Sequence, residues 1–283
     1  MKKLKQIISQ IQSNESDTTE EYKSLVWQYI CYSPKMPARL QQQQLLDQSE
    51  KQTLKVTDPH FAKGELNFNI FKWGKGKKRV LITHGWGSKG IDFSDIIQEL
   101  TSNEDFEIIT FDAPGNGSSE GELSNLLLFV QAVKAVINHY GEPNILIGHS
   151  LGAMANVMAL KEMQLKVSVL ISLTPLLKLK ENFEMSMNAI EISPAAQANF
   201  LESFEQTFGV PASKFEMSNW YDDKNQAKHW LGYDVNDQVL PNSYLKEFLA
   251  SNPAIANKNY EDAGHYLIIK SPIVISDLVE VAI

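Results

Sequence analysis

The sequence predicts an α/β fold: a mostly parallel, doubly wound sheet with an antiparallel hairpin at its N-terminal end and a helical insert. Three observations predict it. From residue 79 onward, short apolar runs alternate with segments of helical period, the pattern of a parallel sheet covered on both faces. One of these runs, Ile145-Leu146-Ile147, leads straight into Gly148-His149-Ser150-Leu151-Gly152 and then into the helix formers of residues 153–160. Finally, the segments rich in Gly, Asp and His follow the strands. They therefore fall at the carboxyl edge, where such sheets carry their chemistry.

Residues 1–50 read as a helical N-terminal extension. Leu4, Ile7, Ile8 and Ile11 recur at helical spacing. Thr18-Thr19-Glu20-Glu21 precedes a second apolar face of Tyr22, Leu25, Val26, Tyr29 and Ile30, and Ser33-Pro34-Lys35-Met36-Pro37 breaks it. The run Gln41 to Gln44 reads as a solvated helix face. Residues 51–283 read as the main domain, beginning with a change of period to two. Segments 54–57 and 66–73 alternate apolar and polar residues, as in an antiparallel edge hairpin.

Strands at 79–83, 106–111, 145–147 and 167–173 then alternate with helices at 93–100, 123–140 and from about Leu151. An insertion at about 176–228 interrupts them. It holds a helix opened by Ser193-Pro194, with Phe200, Leu201, Phe204 and Phe208 on one face and Gly209 as its stop. Placed between two sheet strands, it is a candidate lid, with most of its aromatic residues fastening it and a few facing a pocket. Alternation resumes with a strand at 227–233, a helix at 244–250, a short strand near 257–260 and a last helix at 274–281.

Composition sets further bounds. A chain of 283 residues, 43% hydrophobic and 21% charged, is that of a globular protein able to bury a large core. A net charge of −8 argues against a nucleic-acid surface. Cys31 is the only cysteine, so neither an intrachain disulfide nor a thiolate cluster can form, and it reads as a small apolar residue. The basic N-terminus has no apolar run behind it, and no stretch approaches the ~20 apolar residues of a membrane span, so a cytoplasmic location is expected. No residue pattern speaks to oligomeric state.

The chemistry starts at Ser150. A G-x-S-x-G pentapeptide occurs by chance in roughly one chain of this size in ten to twenty. Here the strand before it and the helix after it supply the context it needs. A serine hydroxyl requires a base, usually a histidine oriented by a carboxylate. His149 lies inside the turn, and His84 ends a strand. His60, His139 and His229 read as surface residues. His265, in Asp262-Ala263-Gly264-His265-Tyr266, follows the last strand and is the candidate base. The loop after the preceding strand offers Asp234 and Asp237, of which Asp237 is preferred.

Backbone N–H groups of Leu151 and Trp86 are the candidates for an oxyanion hole, Trp86 lying in the glycine-rich strand end His84-Gly85-Trp86-Gly87. The loop Asp112-Ala113-Pro114-Gly115-Asn116-Gly117-Ser118-Ser119 lacks both the Gly-Lys-Ser/Thr ending of a P-loop and dinucleotide spacing, and reads as a structural loop lining the site. No cluster has metal-ligand spacing, and no cofactor is expected.

Taken together, these stretches resemble the α/β-hydrolase superfamily over roughly residues 52–283. The loops at 112–119 and 234–241 are similar to those of a group of bacterial cytoplasmic hydrolases, whose pattern Asp-Ala-Pro-x-His-Gly-x-Ser has His where this chain has Asn116. The resemblance implies Ser150, Asp237 and His265 as a catalytic triad and Trp86 and Leu151 as oxyanion amides. The single bulky Trp86 after His84-Gly85 resembles the oxyanion class that favours medium-sized acyl groups, and a small to medium acyl substrate is expected. The implied activity is hydrolysis of a small-molecule carboxylic ester or thioester. Acyl transfer, thioester cleavage and a non-catalytic ligand-binding role are the other readings the fold allows.

Overall fold

The structure is a computed structural model that describes residues 1–14, 16–221 and 228–283. Residues 222–227, at the end of the expected insert and including the first residue of the expected strand 227–233, lie outside the described residues. Its centre is an eight-stranded sheet of order β1-β2-β4-β3-β5-β6-β7-β8. In chain order these are β1 (Glu50–Asp58), β2 (Gly64–Trp73), β3 (Lys78–Thr83), β4 (Phe106–Phe111), β5 (Ile145–His149), β6 (Val169–Leu173), β7 (His229–Tyr233) and β8 (Ala256–Asn259). β1 and β2 pair antiparallel, and β2 pairs antiparallel with β4. From β4 to β8 every pairing is parallel.

Alternation along the strands sorts the core into two layers. Leu81, Ile109, Leu146, Leu170 and Leu231 point to one face, with the buried residues of α5 (Leu126–Tyr140) and α6 (Leu151–Met163). Val80, Ile82, Ile108, Ile147 and Ile171 point to the other, with those of α4 (Ser94–Thr101) and α12 (Pro272–Ala282). Three helices precede the sheet: α1 (Lys2–Gln12), α2 (Glu20–Cys31) and α3 (Leu40–Asp47). Between β6 and β7 come α7 (Leu179–Asn188), α8 (Pro194–Phe208) and α9 (Met217–Trp220). α10 (Asn242–Ser251) follows β7, and α11 (Gly264–Leu267) follows β8. No helix among the described residues is long and apolar enough to cross a membrane.

Four sequence expectations change. α5 starts at Leu126, not 123, because the Asn125 side chain accepts from the Leu128 amide and caps it, while Leu123 bridges Tyr32 in extended form. His229 is not a surface residue: it is 4% exposed on β7 and pairs through Nε2 with the Ser172 hydroxyl on β6, at 2.9 Å. Gln42 is also buried. Its carboxamide accepts from the Arg39 amide and donates to the Ile91 carbonyl, which joins α3 to the body. The loop at 112–119 supplies no residue to the cavity beside Ser150. Instead, the Asp112 carboxylate accepts from the Gly90 and Ser118 amides, and His84 Nε2 accepts from the Ala113 amide, so the loop braces the strand end after β3.

Candidate active site

Ser150 sits between β5 and α6 with φ 51° and ψ −120°. This sparsely populated conformation costs about 1–3 kcal/mol and persists only where the surroundings fix it. Here the Ser150 amide donates to the Leu173 carbonyl at 3.0 Å, and its own carbonyl accepts from Ala153 and Leu176, each at 3.0 Å. Gly148 and Gly152 answer the steric demand. A Cβ at Gly148 would lie 2.5 Å from Ala153 Cα, and one at Gly152 would lie 2.3 Å from the His84 carbonyl oxygen. Any side chain at either would force β5 and α6 apart, or push α6 from β3.

The structure brings His265 and Asp237 to this serine. Ser150 Oγ is 3.0 Å from His265 Nε2, and His265 Nδ1 is 2.7 Å from Asp237 Oδ2. A carboxylate only accepts, so Nδ1 carries the proton toward Asp237 and Nε2 is left to accept from the serine hydroxyl. The other Asp237 oxygen accepts from the Val239 and Leu240 amides at 2.7 and 3.0 Å. Burial pushes the Asp237 carboxyl up, but the hydrogen bond and charge of His265, with these two amides, outweigh it and hold the group below the usual aspartate value.

Asp234 has a different task. Its oxygens accept from the Asn236 amide and from the Gly264 amide at 2.8 Å, so it fastens the turn that presents His265. The rest of that turn is held by His149, whose Nε2–H donates to the His265 carbonyl at 2.8 Å. Burial drives His149 down to about 3, with the neighbouring His265 adding to the shift, so this ring is neutral. Its role in positioning His265 is one sequence reading missed, because the contact spans 116 residues.

Trp86 and Leu151 both line the cavity that holds Ser150 and His265. They follow β3 and β5, which are neighbours in the sheet although β4 comes between them in the chain. This is a topological switch point, where loops diverge and leave a crevice. Leu151 opens α6, so its amide has no intrahelical acceptor and points from a helix N-terminus. Asn116, completely buried, accepts at 2.6 Å from the Ser33 hydroxyl and thereby docks the N-terminal extension.

The cavity measures about 770 Å³. It runs from Ser150 to residues of α7 and α8 and to Leu4, Tyr29, Ile30, Cys31 and Met36 of the N-terminal region. Cys31 is buried, which pushes its thiol up and keeps it protonated.

Comparison with known proteins gives three kinds of likeness. Residues 80–262 match the alpha/beta hydrolase family. A Mycoplasma genitalium protein named as an esterase/lipase is 32% identical over 110 residues, 38% of this chain and 41% of that protein. The monoglyceride lipase of Rattus norvegicus is 29% identical over 155 residues, 50% of each chain. The chain thus spans half or less of the length of these relatives. Among solved structures, an esterase of Pyrococcus furiosus superposes with a TM-score of 0.62 at 18% identity, over 88% of this chain and 97% of that one. An esterase of Thermogutta terrifontis does so with a TM-score of 0.57 at 17% identity, over 81% and 97%. At such identities the structural likeness is one of fold.

Proposed function

The chain belongs to the alpha/beta hydrolase family, and on that premise we propose that it is a serine hydrolase of carboxylic esters. One observation carries the reading: an unbroken hydrogen-bonded chain from Ser150 Oγ through the His265 ring to the Asp237 carboxylate, opening on a cavity. The names of the relatives, an esterase/lipase and a monoglyceride lipase, favour ester over amide substrates.

In this mechanism His265 Nε2 takes the Ser150 proton as Oγ attacks the ester carbonyl. Asp237 accepts from Nδ1–H throughout and stabilises the imidazolium that forms. The amides of Trp86 and Leu151 donate to the oxyanion as the carbonyl becomes tetrahedral. When the C–O bond breaks, His265 returns its proton to the departing alcohol and leaves an acyl ester on Ser150. Water then attacks that ester and gives its proton to His265. As the C–O bond to Ser150 breaks, His265 returns that proton to Oγ, which restores the serine and releases the carboxylic acid.

Hydrolysis of short p-nitrophenyl esters by the wild type, beside Ser150→Ala, tests the proposal. Turnover that survives in the Ala variant at the wild-type rate would sink it.

A further inference from the structure

The cavity beside Ser150 has two walls of helices, and only one of them comes from the insert. Phe183 and Met185 of α7 and Phe204 and Phe208 of α8 face it, but so do Leu4 of α1 and Ile30 of α2. The two walls are fastened to each other. The Trp27 ring lies 4.8 Å from that of Phe200 and stacks on Phe204, and its Nε1–H donates to the Ser203 hydroxyl. Tyr29 donates to the Ser186 carbonyl at 2.9 Å, and the Ser193 hydroxyl pairs with the Asp17 carboxylate. The N-terminal wall is in turn held to the sheet domain. The Ser124 amide donates to the Cys31 carbonyl at 2.8 Å, Lys35 donates to the Ser119 carbonyl, and Lys3 pairs with Glu122.

The chemistry of the lining is one-sided. Among the described residues, not one Lys, Arg, Asp or Glu lines this cavity, in a chain where these types make up 21%. Of its polar side chains, Tyr29 is engaged on Ser186 and the Asn125 oxygen on the cap of α5, while the Ser124 hydroxyl and the Asn125 amino group are buried with no hydrogen-bond partner among the described residues. Moving an ionised group into such a space, where no Lys, Arg, Asp or Glu side chain meets it, is unfavourable. An apolar chain gains about 0.8 kcal/mol for each methylene it buries there. At about 770 Å³ the space matches pockets of roughly 300–1,000 Å³ that enclose most of a drug-sized ligand. That exceeds the medium-sized acyl group expected from the resemblance at Trp86.

Resting on the ester-hydrolase reading above, we propose that α1 and α2 are the second half of a composite cap, and that the cavity between the two walls takes the long apolar acyl chain of an uncharged ester. The N-terminal extension is then a specificity element, and its contacts with α7 and α8 set how much chain the site accepts.

The test is kcat/KM over p-nitrophenyl esters from acetate to dodecanoate, for wild type, Leu4→Trp and Met36→Trp. Met36 is half exposed on the same wall, so its replacement tolerates the larger ring. Wild type should prefer dodecanoate over acetate by at least about tenfold, and each tryptophan should lower that ratio by at least about fivefold. A measurement needing no variant accompanies it: hydrogen adipate, which ends in a carboxylate, should be cleaved at least about a hundredfold less well than hexanoate. A flat or falling chain-length profile, tryptophans that leave the ratio unaltered, or equal cleavage of adipate and hexanoate would each overturn the proposal. Failure of the underlying reading looks different, since no ester of any length would then be cleaved and Ser150 would resist a fluorophosphonate.

Discussion

The carboxyl edge of the sheet and the helical walls above it are built by different means. At the edge, each side chain that meets Ser150 is fixed from more than one side. Ser150 is held by the end of β6, His265 by both Asp237 and the carbonyl bond from His149, and its turn by Asp234. In the walls, the contacts are mainly rings against rings, with a few hydrogen bonds between side chains distant in sequence. The first kind of construction tolerates almost no displacement, whereas the second sets a shape and can be repacked. Under the proposed function, chemistry and selectivity are therefore expected to separate by mutation.

The largest expected effect lies within the edge. Asp237→Asn should lower kcat on a short ester by about 10⁴-fold, because an amide favours the wrong His265 tautomer and no longer stabilises the imidazolium. Asp234→Ala should lower it by only about 10- to 100-fold, through a displaced His265, and cost about 1.5–3 kcal/mol of stability as the Gly264 amide loses a charged acceptor. Stopped assays with parallel denaturant titration separate the two. Equal kcat losses would mean that the two aspartates share one role.

Trp27→Ala sharpens the contrast from the other side. It removes the ring that packs against Phe61, Phe200, Phe204 and Phe208. A loss of about 2–3 kcal/mol is expected, below the range for a fully buried aromatic because Trp27 is only half-buried. Acetate hydrolysis should change by less than about threefold. A kcat loss on acetate as large as that of Asp237→Asn would erase the distinction between walls and edge.

The smallest effect concerns acid. Burial holds His149 and His229 down at about 3, against about 6.5 for a free imidazole. Between these values the unfolded chain binds more protons than the folded one, so stability is complete above pH 6.5 and falls as pH drops toward 3. Each histidine contributes about 1.4 kcal/mol per pH unit in that window. His229→Gln should flatten the slope of unfolding free energy between pH 4.5 and 6.5 by about that amount. A slope that does not move would mean that His229 is charged in the fold.

The legibility of the sequence follows the same division. The serine turn announces itself because steric demand forces Gly148 and Gly152 beside an apolar strand, and the strand order places Gly264-His265 after the last strand. Asp237 is preferred in the sequence over Asp234 on the same loop, but the separate task of Asp234 shows only in three-dimensional register, where it meets the Gly264 amide while Asp237 meets His265. The buried faces of α1 and α2 are visible as periodicity, but periodicity gives no partner. That α2 packs on α8 rests on pairs such as Trp27 and Ser203, 176 residues apart. His229 and Gln42 misled for a like reason: their hydrogen-bond partners, Ser172 and Ile91, lie on other elements.

Labelling with an alkyl fluorophosphonate, followed by intact mass and peptide mapping, asks whether Ser150 is the nucleophile. One adduct is expected, on Ser150, formed at a rate that falls steeply in Asp237→Asn and only modestly in Asp234→Ala. An unlabelled Ser150 in folded wild-type protein, or an adduct on another residue, would contradict it.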